Sequence, residues 1–138
     1  MKRLTIIIMA TVAICCLTGF RNPPGAARFM EMGAKAQSEG KPAEALEHYD
    51  KGIDLAPYMA DYYMTRAFLL LNLGRKEEAL RDFDRYIDLE PASTQGYISR
   101  GMLYSDLERR WEAEADFRKA CSLGDQSGCS FAEQQKKR

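Results

Sequence analysis

The sequence predicts an all-α protein in which three helix-turn-helix repeats stack into an α-solenoid, closed by a capping helix at the C-terminal end. Two stretches, EALEHYDKGIDLAP (residues 44–57) and EALRDFDRYIDLEP (residues 78–91), share most of their pattern at an offset of 34 residues. Alanine, leucine, glutamate and basic residues dominate this part of the chain, and these are strong helix formers. Repetition at this period is typical of helical repeat architectures.

The repeat extends over three rows, residues 26–59, 60–93 and 94–127. Aromatic and small residues recur at the same offsets in each row. The columns are Phe29, Tyr63 and Tyr97; Gly33, Ala67 and Gly101; Ala45, Ala79 and Ala113; Tyr49, Phe83 and Phe117; Leu55, Leu89 and Leu123. We expect the small residues to let the two helices of a row approach closely and the aromatic residues to fill the space around that contact. One such pair cannot bury its apolar face alone, so the three rows should stack.

Helix breakers mark the ends of the elements within each row. In the first row, Gly40 suits the end of a helix, Pro42 is tolerated in the first turn of the next, and Pro57 marks its end. The third row departs from this pattern, because Glu108 replaces the turn glycine. Phe131 falls on the aromatic column of a fourth row, which predicts a capping helix over residues 126–136.

These columns resemble the tetratricopeptide repeat, and the resemblance covers residues 26 to about 127. It implies a right-handed solenoid without catalytic activity, in which the first helix of each repeat lines a groove that binds a protein partner. The departures are local: Gly52 and Tyr86 stand where alanine is usual, and Arg66 and Arg100 occupy a usually apolar position. The usual ligand-facing positions are Ala27, Met30, Ala34 and Gln37; Asp61, Met64, Phe68 and Leu71; Gln95, Ile98, Met102 and Ser105.

The centre of this predicted groove is apolar and rich in methionine, which adapts to varied partners. The alternative is that part of the stripe only packs against neighbouring first helices. Some tetratricopeptide domains hold the C-terminal carboxylate of a peptide with basic residues. The matching positions here are Met30, Ala34, Met64 and Phe68, so that clamp is absent. An apolar or amphipathic segment, bound as a helix or an extended peptide, is therefore the expected ligand.

The spacing of Cys121 and Cys129 resembles cysteine-bridged, tetratricopeptide-like hairpins of secreted bacterial proteins. The resemblance implies a disulfide that joins the capping helix to the third repeat, worth about 2–3 kcal/mol for so short a loop. The alternative is two free thiols packed as small apolar side chains. A metal site is not expected, because two cysteines without a nearby histidine do not form a tetrahedral zinc site.

Residues 1–25 are predicted to be a signal peptide or N-terminal anchor with a short linker, followed by a repeat domain over residues 26–138. Lys2 and Arg3 precede an uncharged stretch of 17 residues, Leu4 to Phe20, the layout of a secretory signal. Cys16 resembles the lipidated cysteine of a bacterial lipoprotein, although the residues before it depart from that pattern. Simple secretion and an uncleaved anchor are the alternatives, and a buried core helix is a further one.

Little in the sequence points to catalysis. The net charge is zero, which gives no electrostatic case for nucleic-acid binding. His48 is the only histidine and is expected to be a solvated surface residue. The carboxylates around Asp82 are expected to be ion-paired and to face water. Trp111 is expected to pack. No cofactor or metal motif is present.

The sequence therefore predicts a non-catalytic interaction scaffold or adaptor of the bacterial cell envelope, tethered to a membrane and facing the periplasm, or periplasmic. Its predicted partner is a protein segment bound in the groove. The alternative function is a structural component that associates with copies of itself, and an enzyme is the third interpretation.

Overall fold

The computed structural model describes residues 23–137, with side chains described as far as Gln135, and this part of the chain contains seven α-helices and no strand. The helices are α1 (Pro24–Ser38), α2 (Pro42–Leu55), α3 (Ala60–Asn72), α4 (Lys76–Leu89), α5 (Thr94–Asp106), α6 (Arg110–Ser122) and α7 (Gln126–Lys137). The predicted all-α fold of repeated helix pairs is confirmed. None of these helices is long and apolar enough to cross a membrane.

Each repeat is a pair of helices packed through small and aromatic residues. Helix α1 packs on α2, α3 on α4, and α5 on α6. A Cβ atom added to Gly33 would overlap the ring of Tyr49 and lie 3.2 Å from the Ala45 carbonyl oxygen. The aromatic residue of each second helix is fully buried, at Tyr49, Phe83 and Phe117. The small residues thus permit the close approach that the sequence predicted.

The turn inside each repeat requires a left-handed residue. Gly40 and Gly74 adopt φ of 73° and 72°, which glycine reaches without steric cost. Glu108 holds the same place in the third repeat with φ of 58°. That conformation disfavours residues with a Cβ atom. The third turn is therefore strained where the first two are not.

The boundaries differ slightly from the predicted ones. Helix α1 begins at Pro24, two residues before the predicted domain start, and Pro24 stands in the first helical turn, where proline is tolerated. Helix α7 ends at Lys137, one residue beyond the predicted cap.

Successive repeats are also joined through the prolines that follow the second helices α2 and α4, Pro57 and Pro91. The hydroxyl groups of Tyr63 and Tyr97 donate to the carbonyl oxygens of Pro57 and Pro91, each over 3.1 Å. The first repeat carries Phe29 at this position and has no hydroxyl group to donate.

One arginine in each later repeat, Arg66 or Arg100, joins that repeat to the one before it. Nε and Nη2 of Arg66 donate to the two oxygens of Asp82 over 2.8 and 2.6 Å, and Nη1 donates to Asp50 over 2.6 Å. We call this arrangement an ion lock. Arg66 lies on α3, Asp82 on α4 and Asp50 on α2, so the lock ties three helices together. The hydrogen bonds that Arg66 donates to Asp82 raise the pKa of Arg66 above its ordinary value.

The same ion lock recurs 34 residues later, where Arg100 binds Asp116 and Asp84. Asp82 and Asp116 are buried, and both oxygens of each carboxylate accept hydrogen bonds from an arginine. The expectation that Asp82 faces water is therefore wrong. A charge of this kind stays buried only because its hydrogen bonds and its counter-ion compensate the lost hydration.

Helix α7 covers the C-terminal end of the third repeat. The rings of Phe131 and Phe117 lie 5.2 Å apart between centroids. A Cβ atom on Gly128 would lie 2.8 Å from that of Ala120, so the two helices approach closely. The sulfur atoms of Cys121 and Cys129 are joined in a disulfide, with their Cα atoms 4.6 Å apart.

Candidate peptide-binding groove

The predicted ligand-facing residues lie on the first helices of the repeats, α1, α3 and α5. We call the surface of these residues the groove face. Phe68 and Met102 are its most exposed large apolar residues, at 43% and 45%. Ala34 is exposed beside them, and the polar members Gln37, Asp61 and Gln95 are exposed as well. An apolar area ringed by polar side chains is what a partner's apolar residues require.

Met64 does not belong to this exposed area. Its side chain is 6% exposed and lies in the core that joins the second repeat to its neighbours. The prediction that it faces a ligand is wrong in this structure. The residue four positions later, Phe68, takes the exposed place on the same helix face instead.

The remaining apolar groove residues are partly covered. Met30 packs on α2, where its sulfur atom would lie 2.8 Å from a Cβ atom on Gly52. Leu71 and Ile98 are half-buried against the core. Ala27 and Ser105 are also half-buried, and Ser105 accepts a hydrogen bond over 2.9 Å from Gln135 of the capping helix. The face therefore offers a ligand chiefly Phe68, Met102 and the edges of these residues.

Two residues outside the groove face differ from expectation. His48 is not solvated: its side chain is 13% exposed, and its ring stacks on Phe29 with centroids 6.2 Å apart. It occupies the column that holds Asp82 and Asp116 in the later repeats. Trp111 does not pack: it is 83% exposed at the start of α6. An apolar residue near a helix start has no packing partner unless another element covers it.

A cleft of about 560 Å³ lies between α2, α3 and α4, away from the groove face. Asp50, Arg66 and Asp82 of the first ion lock line it, with Arg75 and Glu78 nearby. Arg75 pairs with Glu78 over 2.6 Å. Most of the charges in this cleft pair with each other, so it has the character of a structural contact. Across residues 23–137, no group of three or more His, Cys, Asp or Glu side chains is placed to hold a metal ion.

Cys16, the predicted lipid anchor, lies outside the described residues. Cys121 on α6 and Cys129 on the capping helix α7 lie outside the groove face. The sequence pattern that would have located the ion locks is the recurrence of Arg and Asp at the same 34-residue offset, Arg66 with Asp82 and Arg100 with Asp116.

Comparison with known protein families finds a match for two of the three repeats. Residues 60–93 and residues 94–123 each match a family model described as tetratricopeptide repeat. The second and third repeats are therefore tetratricopeptide repeats. A comparison with curated proteins gives no match.

Solved tetratricopeptide domains share the fold of the chain. The Arabidopsis OM64 domain superposes with a TM-score of 0.71 at 26% identity, over 86% of this chain and 99% of that one. The first domain of Spaghetti (RPAP3), bound to the HSP90 peptide SRMEEVD, gives 0.71 at 25% identity, over 82% and 91%. The second domain of human RPAP3, bound to the HSP70 peptide SGPTIEEVD, gives 0.68 at 26% identity, over 83% and 100%. Two of these tetratricopeptide domains thus bind short peptides.

Proposed function

We propose that the chain is a non-catalytic interaction protein of the bacterial cell envelope, and that its groove face binds an apolar or amphipathic segment of a partner protein. The observation that carries this proposal is the exposure of Phe68 and Met102 on the groove face. Large apolar side chains at a groove supply most of the binding energy once they are covered. Similar tetratricopeptide domains that bind short peptides support a peptide-binding role for these repeats.

The proposed location rests on the N-terminal sequence. Lys2 and Arg3 followed by the uncharged stretch to Phe20 have the layout of an export signal. Lipidation at Cys16 would tether the repeats to a membrane and leave them facing the periplasm. The mass of the intact protein recovered from envelope fractions tests this. A mass that begins at Cys16 with added acyl chains supports the tether, and a full-length unmodified mass from the cytosol contradicts it.

The binding proposal is tested by placing a photo-crosslinking amino acid at Met102 in living cells. The matched control carries the same group at Lys51, which is exposed on the second helix α2. We expect crosslinks to a second envelope protein from position 102 and not from position 51. Crosslinks to a second copy of the chain would instead favour the structural alternative. Equal crosslinking from both positions would contradict a groove function.

The variant that tests self-association must respect burial. Met64→Glu would place a charge in the core and unfold the repeat, because Met64 is 6% exposed. Met102→Glu changes a residue that is 45% exposed and leaves the core intact. We expect no concentration-dependent change in sedimentation for the wild-type chain. Dimers that disappear with Met102→Glu would support the alternative.

A further inference from the structure

The groove face continues for one helical turn beyond the central column of Ala34, Phe68 and Met102. Residues four positions apart lie on the same face of a helix. The next residues along this face are therefore Ser38, Asn72 and Asp106, and all three are exposed. These residues form the rim of the groove at the C-terminal ends of α1, α3 and α5.

This face and its rim carry no basic residue. The chain has 20 lysines and arginines and 20 aspartates and glutamates, so a random surface of this size would hold both signs. The charged members here are Asp61 and Asp106 alone, both carboxylates. Neither forms an ion pair with any side chain that the structure describes. The groove is apolar at its centre and negative at its edges.

Asp106 has no structural explanation of its own. It is the last residue of α5, where the helix dipole places partial negative charge. The last turns of α3 and α5 hold no basic residue that would compensate it. Asp61 differs, since it lies in the first turn of α3, where the dipole favours a carboxylate. Asp106 is therefore the stronger indication that a cation from outside the repeats is bound at the rim.

We propose that the partner segment is basic as well as apolar, with a lysine or arginine that reaches Asp106 while its apolar residues cover Phe68 and Met102. This inference rests on the groove function proposed above. It gives the groove the opposite charge preference to that of the similar domains whose bound peptides end in Glu-Glu-Val-Asp. A peptide of that acidic type would meet Asp106 without any basic residue to pair with.

A random peptide library tests the proposal without knowledge of the natural partner. Twelve-residue peptides displayed on phage are selected on the full chain held in mild detergent, and peptides that also bind a Met102→Ser variant, which loses the apolar contact without adding a charge, are removed. We expect the groove-dependent sequences to combine apolar residues with lysine or arginine. The selected peptide is then compared with a version in which glutamine replaces each basic residue, using fluorescence anisotropy.

We expect the Asp106→Asn variant to bind the basic peptide about two- to fivefold more weakly, as for one solvent-exposed charge pair. Its affinity for the glutamine version should not change. The preference for the basic peptide should also decrease between 50 and 200 mM salt, by the screening of exposed charges. Neutral or acidic consensus sequences, or an unchanged affinity of Asp106→Asn, would overturn the charge preference and leave the groove function standing.

Two further outcomes are distinct. If no peptide binds the wild-type chain in a groove-dependent manner, the proposed function itself fails. The chain also ends in Lys136, Lys137 and Arg138, shortly after Gln135, which contacts Ser105 beside Asp106. A variant with glutamine at these three positions that binds the basic peptide severalfold more tightly would assign Asp106 to the chain's own tail and overturn the partner assignment.

Discussion

The first and third repeats share one helix-pair design but differ in how they are anchored. The third repeat holds a complete ion lock, Arg100 with Asp116 and Asp84, and a disulfide joins it to the cap. The first repeat has Met32 and His48 at the lock positions, and Met32 is 38% exposed. A lock needs a carboxylate on the preceding second helix, and no described helix precedes α1. In each lock the arginine binds one aspartate of its own repeat and one aspartate of the preceding repeat, so the lock stabilises both contacts, and the first repeat is held together without it.

Removal of the buried carboxylate should have the largest effect. We expect Asp116→Ala to lower the free energy of unfolding by about 3 kcal/mol, because it leaves the half-buried Arg100 without its two-oxygen acceptor. His48→Ala changes the same column in the first repeat and should cost about 1 kcal/mol or less, since it removes ring packing on Phe29 and a 3.8 Å contact with the exposed Glu44. Urea unfolding followed by far-ultraviolet circular dichroism measures both. Equal losses of unfolding free energy in the two variants would mean that the ion lock does not add to the stability of the third repeat.

Removal of the disulfide should have the next largest effect. Replacing Cys121 and Cys129 by serine should lower the free energy of unfolding by about 2–3 kcal/mol, through the entropy of the released loop. A reductant should destabilise the wild-type chain by a similar amount and leave the double variant unchanged. If the reductant does not change the free energy of unfolding of the wild-type chain, the disulfide does not form in the isolated protein.

Hydrogen exchange compares the two ends directly. We expect the amide protons at the centres of α1 and α2 to exchange about tenfold faster than those of α5 and α6, because local opening begins where fewer contacts hold an element. Asp116→Ala should narrow this difference. Mass spectrometry of peptic fragments over a time course gives the measurement, and a uniform rate would contradict an anchored third repeat.

The turn of the third repeat should give the smallest effect and the opposite sign. We expect Glu108→Gly to raise the free energy of unfolding by about 0.5–1 kcal/mol, because glycine adopts the left-handed conformation without steric cost. The matched control is Gly74→Glu, which should lower it by about 1 kcal/mol. Thermal unfolding of the two variants and of the wild-type chain shows whether each substitution raises or lowers stability. A loss of stability with Glu108→Gly would show that its side chain makes a contact worth more than the strain.

Most of the fold followed from the sequence because its determinants repeat. Glycine, proline and aromatic residues act locally, so their 34-residue recurrence fixes helices, turns and pairing. The exposed residues of the groove face were harder to predict from the sequence. Met64 and Phe68 are both apolar and lie on one helix face, and the sequence does not show that the core covers Met64 and leaves Phe68 exposed. His48 was misjudged for a related reason, because its burial depends on the stacked ring of Phe29.

The exposure of Trp111 has a practical consequence for spectroscopy. It is the only tryptophan in the chain, and an indole already surrounded by water emits at long wavelength before any unfolding occurs. Its emission spectrum should therefore hardly shift when the repeats melt, and the folded protein would resemble a denatured one by this measure. The same property makes the residue a sensitive reporter of any molecule that covers the start of α6, since contact with an apolar surface would move the emission to shorter wavelength.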